Sequence, residues 1–231
     1  MATTKSHLAL SAASDEGDED RSQKLIAAAR ELLDEAGLEG LTIRAVLART
    51  GLARRAFYER FQSKDDLVLA VFDSTLRSAA RAFEAMTKPE VGSAQALEGI
   101  VRGIVVGQAQ FQEKSQDRSS VAAQGMPVGG AHLRSAALSR EHLRLAQQRP
   151  AELKAALQPL LDLMAGHIGE GMVAGVFRKA DPQLQARLIY NLVSTTVHTL
   201  LLEEEGRAPD RAEREALAQA IWSFCLRAIA V

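Results

Sequence analysis

Two short helical segments separated by a tight turn at a glycine constrain this chain more than any other feature. Thr42 is an N-cap residue ahead of Ile43, Val46 and Leu47, which form one apolar face at helical spacing. Gly51 ends that segment after barely two turns. A second short helix, from about Ala53 to Phe61, follows with almost no linker, and Ser63 caps a longer helix carrying Leu67, Val68, Ala70, Val71 and Leu76. Two short helices joined by a tight turn containing glycine make a helix-turn-helix unit. Upstream, Leu25, Ile26, Ala29, Leu32, Leu33 and Ala36 recur at helical spacing between Ser22, read as an N-cap, and Gly37, read as the residue that ends the helix. The long helices on either side can cover the apolar side of the short pair.

Composition agrees with an all-α chain. Alanine, leucine, arginine and glutamate dominate the 231 residues, aromatics make up 4% and prolines number 6. Three regions are expected: an acidic, disordered tail over 1–21, the helix-turn-helix domain over 22–67, and a helical ligand-binding and dimerisation bundle over 68–231. In the tail, Asp15, Glu16, Asp18, Glu19 and Asp20 repel one another and bury little. They read as a solvated leader or as competitors for the phosphate sites. In the bundle, helices are expected near 93–112, 132–147, 151–176, 183–204 and 211–229. Asp181-Pro182 is a start signal for the fourth of these, Pro150 and Pro209 mark breaks, and 123–130 is a loop by its glycines and proline. One cysteine, Cys225, allows no intrachain disulfide and fits a reducing compartment. No secretory leader or membrane span is apparent, and a cytoplasmic location is expected.

Charge is distributed unevenly. The chain carries a net charge of −1, yet Arg44, Arg49, Arg54, Arg55, Arg60 and Lys64 face only Glu59 between residues 44 and 64, a local net of +5. Neutralising phosphates requires such a patch, because bound phosphates release their counterions. Arg54 and Arg55 fall at the start of the second short helix, whose N-terminal residues reach base edges in a helix-turn-helix complex. Arginine there can bond bidentately to guanine. Thr42 can hold a phosphate through its hydroxyl and the free amides of its helix start. Tyr58 lies one turn on from Arg54 and Arg55. Lys64 occupies the first turn of the next helix, where a cation opposes the helix dipole, and a phosphate contact would account for it. Phe57 and Phe61, four apart, read as core.

The stretch LTIRAVLARTGLARRAFYERFQSKDDLVLAVFD resembles the DNA-binding signature of the TetR/AcrR family of transcriptional regulators. The match runs through Thr42-Ile43-Arg44, Gly51-Leu52-Ala53, Tyr58-Glu59-Arg60-Phe61 and Ser63-Lys64-Asp65-Asp66-Leu67 and spans roughly residues 24–75. The remainder agrees in length, helical character and the phrase GVFRKADPQ. The resemblance implies a DNA-binding set of Thr42, Arg44, Ala53, Arg54, Arg55, Tyr58, Arg60 and Lys64. In it, Arg44 contacts base or phosphate, Arg54 and Arg55 hold base-reading positions, and Tyr58 and Lys64 clamp phosphate. It implies a palindromic double-stranded DNA operator, a homodimer, and release by an unidentified small-molecule effector. Three residues depart from the pattern. Ala53 replaces the usual capping serine or threonine, Ala56 a common threonine or serine, and Leu47 a small alanine where the two short helices cross.

A palindrome is read by two heads, so something must pair the chains. The last two helices look too apolar for half-solvated ones, which leaves two readings: core helices of a monomer, or an intersubunit four-helix bundle through Leu188, Leu192, Thr196, Leu200, Leu217, Ile221 and Phe224. The resemblance implies the second. A bundle pocket should be apolar with a few polar anchors, and the residues to watch are Phe111, Met126, His132, Met164, His167, Tyr190 and His198. The histidines lack short metal-ligand spacing, so no metal and no cofactor are expected. Gly166, Gly169, Gly171 and Gly175 lie in one expected helix and signal close approach or a kink. No catalytic motif is present, and a non-enzyme is expected.

Overall fold

The computed structural model describes residues 3–87, 91–106, 130–204 and 210–231, with side chains from Glu19 onward and, after the second gap, from Ala137 onward. These residues are helical almost throughout, and the chain divides into two compact units, Met1–Val71 and Phe72–Val231.

The first unit holds α1 (Thr3–Gly40), α2 (Ile43–Thr50), α3 (Arg54–Tyr58) and the start of α4 (Lys64–Met86). Ser22 does not begin α1. The backbone is helical from Thr3, through the segment expected to be a disordered tail. No proline interrupts Thr3–Ala36, and alanine and leucine favour the helix there. Ser22 is instead buried, and its Oγ accepts a 2.6 Å hydrogen bond from Arg60 Nε. Gly37 does end the regular part of α1: its φ of 61° lies in the left-handed region that glycine tolerates. Gly51 repeats the device at the end of α2, with φ 67° and its amide on the Leu47 carbonyl. Leu25, Leu33, Leu41, Val46 and Phe57 are fully buried, and α1 packs on α2.

The second unit contains the rest of α4 with α5 (Ser93–Val106), α6 (Gly130–Gln148), α7 (Pro150–Val173), α8 (Pro182–Glu203) and α9 (Arg211–Ile229). The helices expected at 132–147, 183–204 and 211–229 agree with α6, α8 and α9 within two residues; α5 starts at the expected Ser93, and its expected end at 112 lies outside the described residues. α7 stops at Val173, three residues before the expected end, where Gly175 adopts a positive φ of 72°. The expected loop at 123–130 lies outside the described residues, apart from Gly130 at the start of α6. Asp181 and Asp210 cap α8 and α9 through their carboxylates, each accepting from the amides of the first turn. One core joins α5, α7, α8 and α9 around Leu97, Ile100, Leu160, Met164, Val193 and Trp222. Arg102 on α5 and Glu215 on α9 close a two-pronged ion pair at 2.6 and 2.8 Å. The chain then folds its end back. Ala230 forms an antiparallel bridge with Phe177, the Arg178 amide donates to the Ile229 carbonyl, and the Val231 amide to the Val176 carbonyl.

Candidate nucleic-acid interface

Thr42 caps α2 as its sequence position suggests. Its Oγ1 accepts from the Ala45 amide at 3.1 Å, which leaves the hydroxyl proton free to donate outward. Arg44 follows in the first turn, exposed and without a side-chain partner among the described residues.

The α3 helix is a turn and a half long, and its Phe57 anchors it. That ring is wholly buried, 5.3 Å from Tyr58 and 5.6 Å from Phe61 between centroids. Burial of this one side turns Arg54, Arg55 and Tyr58 to solvent. The Arg54 guanidinium lies 5.4 Å from the centre of the Tyr58 ring and reaches its hydroxyl at 3.3 Å, so the two side chains are held together. The Arg55 side chain is 90% exposed, with Glu59 at 2.7 Å one turn on. An exposed pair of this kind is weak and exchanges readily for a stronger anion. Ala53 starts the helix in extended conformation with no side-chain cap.

The remaining cations are tied into the domain. Arg49 pairs with Glu35 at 2.7 Å and with Glu31 at 3.5 Å. The hydrogen bond from Arg49 holds the Glu35 carboxyl below its usual range; desolvation opposes it, and the Arg49 charge adds to it. Arg60 bonds Ser22 and reaches Glu19 at 3.3 Å, strapping the end of the α3 segment to α1. Lys64 Nζ donates to the Leu38 carbonyl at 3.2 Å, just past the break at Gly37. That bond accounts for a lysine in the first turn of α4 without a phosphate, although two ammonium protons remain. Asp66 reciprocates the Ser63 cap, its carboxylate accepting from the amides of Gln62 and Ser63 while Ser63 Oγ accepts from the Asp66 amide.

Of the residues singled out for ligand binding, the four with described side chains do not line one cavity. Phe111 and Met126 lie outside the described residues, as does the side chain of His132. Met164 is fully buried in the core. His167 is buried, with Nδ1 3.2 Å from Glu170 and Nε2 without a partner among the described residues. His198 Nδ1 lies 3.0 Å from Ser139 Oγ. Tyr190 alone of the described ones lines a cavity of about 300 Å³ bounded by α6, α7 and α8, and burial pushes its phenol above the ordinary range. His142, which no sequence signal marked, sits between Phe72 and Tyr190 with ring centres 5.8 and 6.1 Å away. Burial, and secondarily the charge of His198, lowers its pKa.

Of the residues expected at a dimer interface, Leu188, Leu192 and Phe224 are exposed, Leu188 and Phe224 at 59% each. Leu184 and Leu202 extend the α8 face. Thr196, Leu200 and Leu217 are half-buried. Ile221 is 6% exposed and belongs to the core of its own chain, because it falls on the side of α9 that meets α5.

A glycine-broken helix pair with a buried aromatic anchor and solvent-facing arginines defines a helix-turn-helix DNA-binding protein. Comparison with known proteins makes the class specific. Residues 25–71 match the family described as bacterial regulatory proteins, tetR family. RolR in complex with resorcinol superposes with a TM-score of 0.62 at 18% identity, over 94% of this chain and 91% of that one. FadR from Bacillus subtilis in complex with stearoyl-CoA gives 0.60 at 16%, over 88% and 97%. A TetR-family regulator from Agrobacterium tumefaciens gives 0.56 at 18%, over 93% and 100%. No curated protein matches the sequence. Residues 25–71 therefore carry the DNA-binding domain of the tetR family, and the chain as a whole shares the fold of these solved regulators. No helix among the described residues is long and apolar enough to cross a membrane.

Proposed function

We propose that the protein is a dimeric repressor that binds a palindromic operator and is released from it by a small molecule taken up in the second unit. The observation that carries the DNA-binding part is the outward display of Arg54, Arg55 and Tyr58 by a helix whose opposite side is fixed by Phe57. Arg54 and Arg55 read base edges. Thr42, Arg44, Tyr58 and Lys64 hold phosphates, and Ala53 brings backbone close to the strand. Arg60 positions the recognition helix from behind. Two copies pair through the exposed apolar faces of α8 and α9, centred on Leu188, Leu192 and Phe224.

Relatives of the same fold hold resorcinol and stearoyl-CoA, which supports a small-molecule effector here. Such an effector must bind the DNA-incompetent state more tightly, since a ligand with equal affinity for both states shifts neither.

Selection of genomic fragments by the purified protein tests the reading. A palindromic site should be enriched, and its affinity should fall about 10³-fold or more between roughly 50 and 200 mM salt, as eight or so phosphate contacts require. Arg54→Glu with Arg55→Glu should abolish selection of that site while leaving the fold intact. Salt-independent binding, or unchanged operator affinity in that variant, would show that these arginines do not meet DNA.

A further inference from the structure

We propose that the cavity between α6, α7 and α8 binds an amphipathic organic anion, with the side chains of Lys154 and Arg187 holding its charged end and leucines holding its apolar body. The proposal rests on the ligand-responsive reading above and names the chemistry of the ligand.

The walls are apolar. Leu153, Leu157 and Leu161 line one side from successive turns of α7, and the Tyr190 ring faces them from α8. A volume of about 300 Å³ sits at the lower end of the range for small-molecule sites. It suits a single ring system or a medium alkyl chain.

The charged groups in the lining are Lys154 and Arg187, and both are positive. Both are exposed, and neither has an ion-pair or hydrogen-bond partner among the described residues. Many other cations of the chain are committed to carboxylates, as Arg49, Arg77, Arg102, Arg144 and Arg214 are. The carboxylates nearby are occupied. Glu152 is engaged by Arg149, and Asp162 accepts 2.8 Å hydrogen bonds from the side-chain amides of Gln158 and Gln183, both of which line the cavity.

That amide bridge also orients the site. Lys154 lies one turn from Gln158 toward the start of α7, and Arg187 one turn from Gln183 toward the end of α8. The two helices pack together and are joined by a short connection, so they run antiparallel. Both steps therefore lead the same way, and the cations lie together on the side away from Asp162. The start of α7 is at that end, where the helix dipole adds to the positive potential. A neutral apolar ligand would draw nothing from the two cations, and an amine would be repelled.

Calorimetric titration of the full-length protein with octanoate, octanol and octylammonium, without DNA, tests this. Octanoate should bind saturably, and octanol and octylammonium should bind at least about tenfold more weakly, as loss of a charge-assisted contact implies. Lys154→Gln with Arg187→Gln should weaken octanoate by about tenfold or more and leave octanol unchanged. Leu157→Trp, which fills the cavity, should weaken both. Equal affinity for octanoate and octanol, octanoate binding that ignores the double glutamine variant, or no saturable octanoate binding would each overturn the proposal. Octanoate that binds as expected but leaves operator affinity unchanged would support the site and count against release by this route.

Discussion

Arg214 and Glu204 are almost withdrawn from solvent, and they face each other in a two-pronged contact at the start of α9. Burying both charges is costly, and each is tolerated because the other is present. Removing one partner strands the other. Arg214→Met should destabilise the fold by about 3–5 kcal/mol in urea unfolding, and adding Glu204→Leu should recover much of the loss. The exposed pair between Arg49 and Glu35 is a different case, because water screens it. Residue roles of this sort were only half legible in the sequence. Gly37, Gly51 and Thr42 act through neighbours within four residues, so their positions identify them. Ser22 and Lys64 do not. Ser22 looks like a cap because serine precedes an apolar run, and its true partner, Arg60, is 38 residues away. Lys64 looks misplaced until the Leu38 carbonyl, 26 residues upstream, comes into view.

Among the helices, α3 is the least self-sufficient. It spans five residues, has no side-chain cap, and depends on Phe57 for its attachment. Ala53 already has the extended backbone of a capping residue, with φ −68° and ψ 150°. Ala53→Ser should therefore supply the missing acceptor without rearrangement and raise stability by about 0.5–1 kcal/mol in thermal unfolding. No gain would mean that the serine turns away from the α3 amides. Helix positions in the second unit were readable because Asp181-Pro182, Pro150 and Asp210 are local start signals. The end of α7 was misjudged by three residues, since a glycine inside an apolar run looks the same whether its φ is negative or positive. The cavity left no signature. Its leucines have the same spacing as leucines that pack, and rare residue types such as histidine and methionine do not mark it. What distinguishes the site is a gap between helices, which depends on the third helix.

For the molecule as a whole, the net charge of −1 conceals a segregation of roles. Cations that build the first unit are bonded inside it, and those left facing outward are few enough to name. The exposed leucines of α8 pose the opposite problem, since an apolar stripe of this length seldom faces water in a solitary chain. Leu188→Glu should yield monomers in sedimentation analysis and weaken binding to a palindrome far more than binding to a half-site. Persistence of the dimer would move the pairing surface elsewhere. The alternation of burial and exposure along α8 was visible in the sequence as excess hydrophobicity, but the separation of Ile221 from Phe224 was not, because it requires knowing which side of α9 meets α5. A β-carbon at Gly171 would overlap the Phe177 ring, so nothing larger than hydrogen fits. Phe177 is also the residue that Ala230 bridges, which makes the chain's last amides a remote gauge of that single vacancy. With Gly171→Ala, deuterium should enter the Arg178 and Val231 amides together and faster, so that crowding at the end of α7 is read out at the C-terminus.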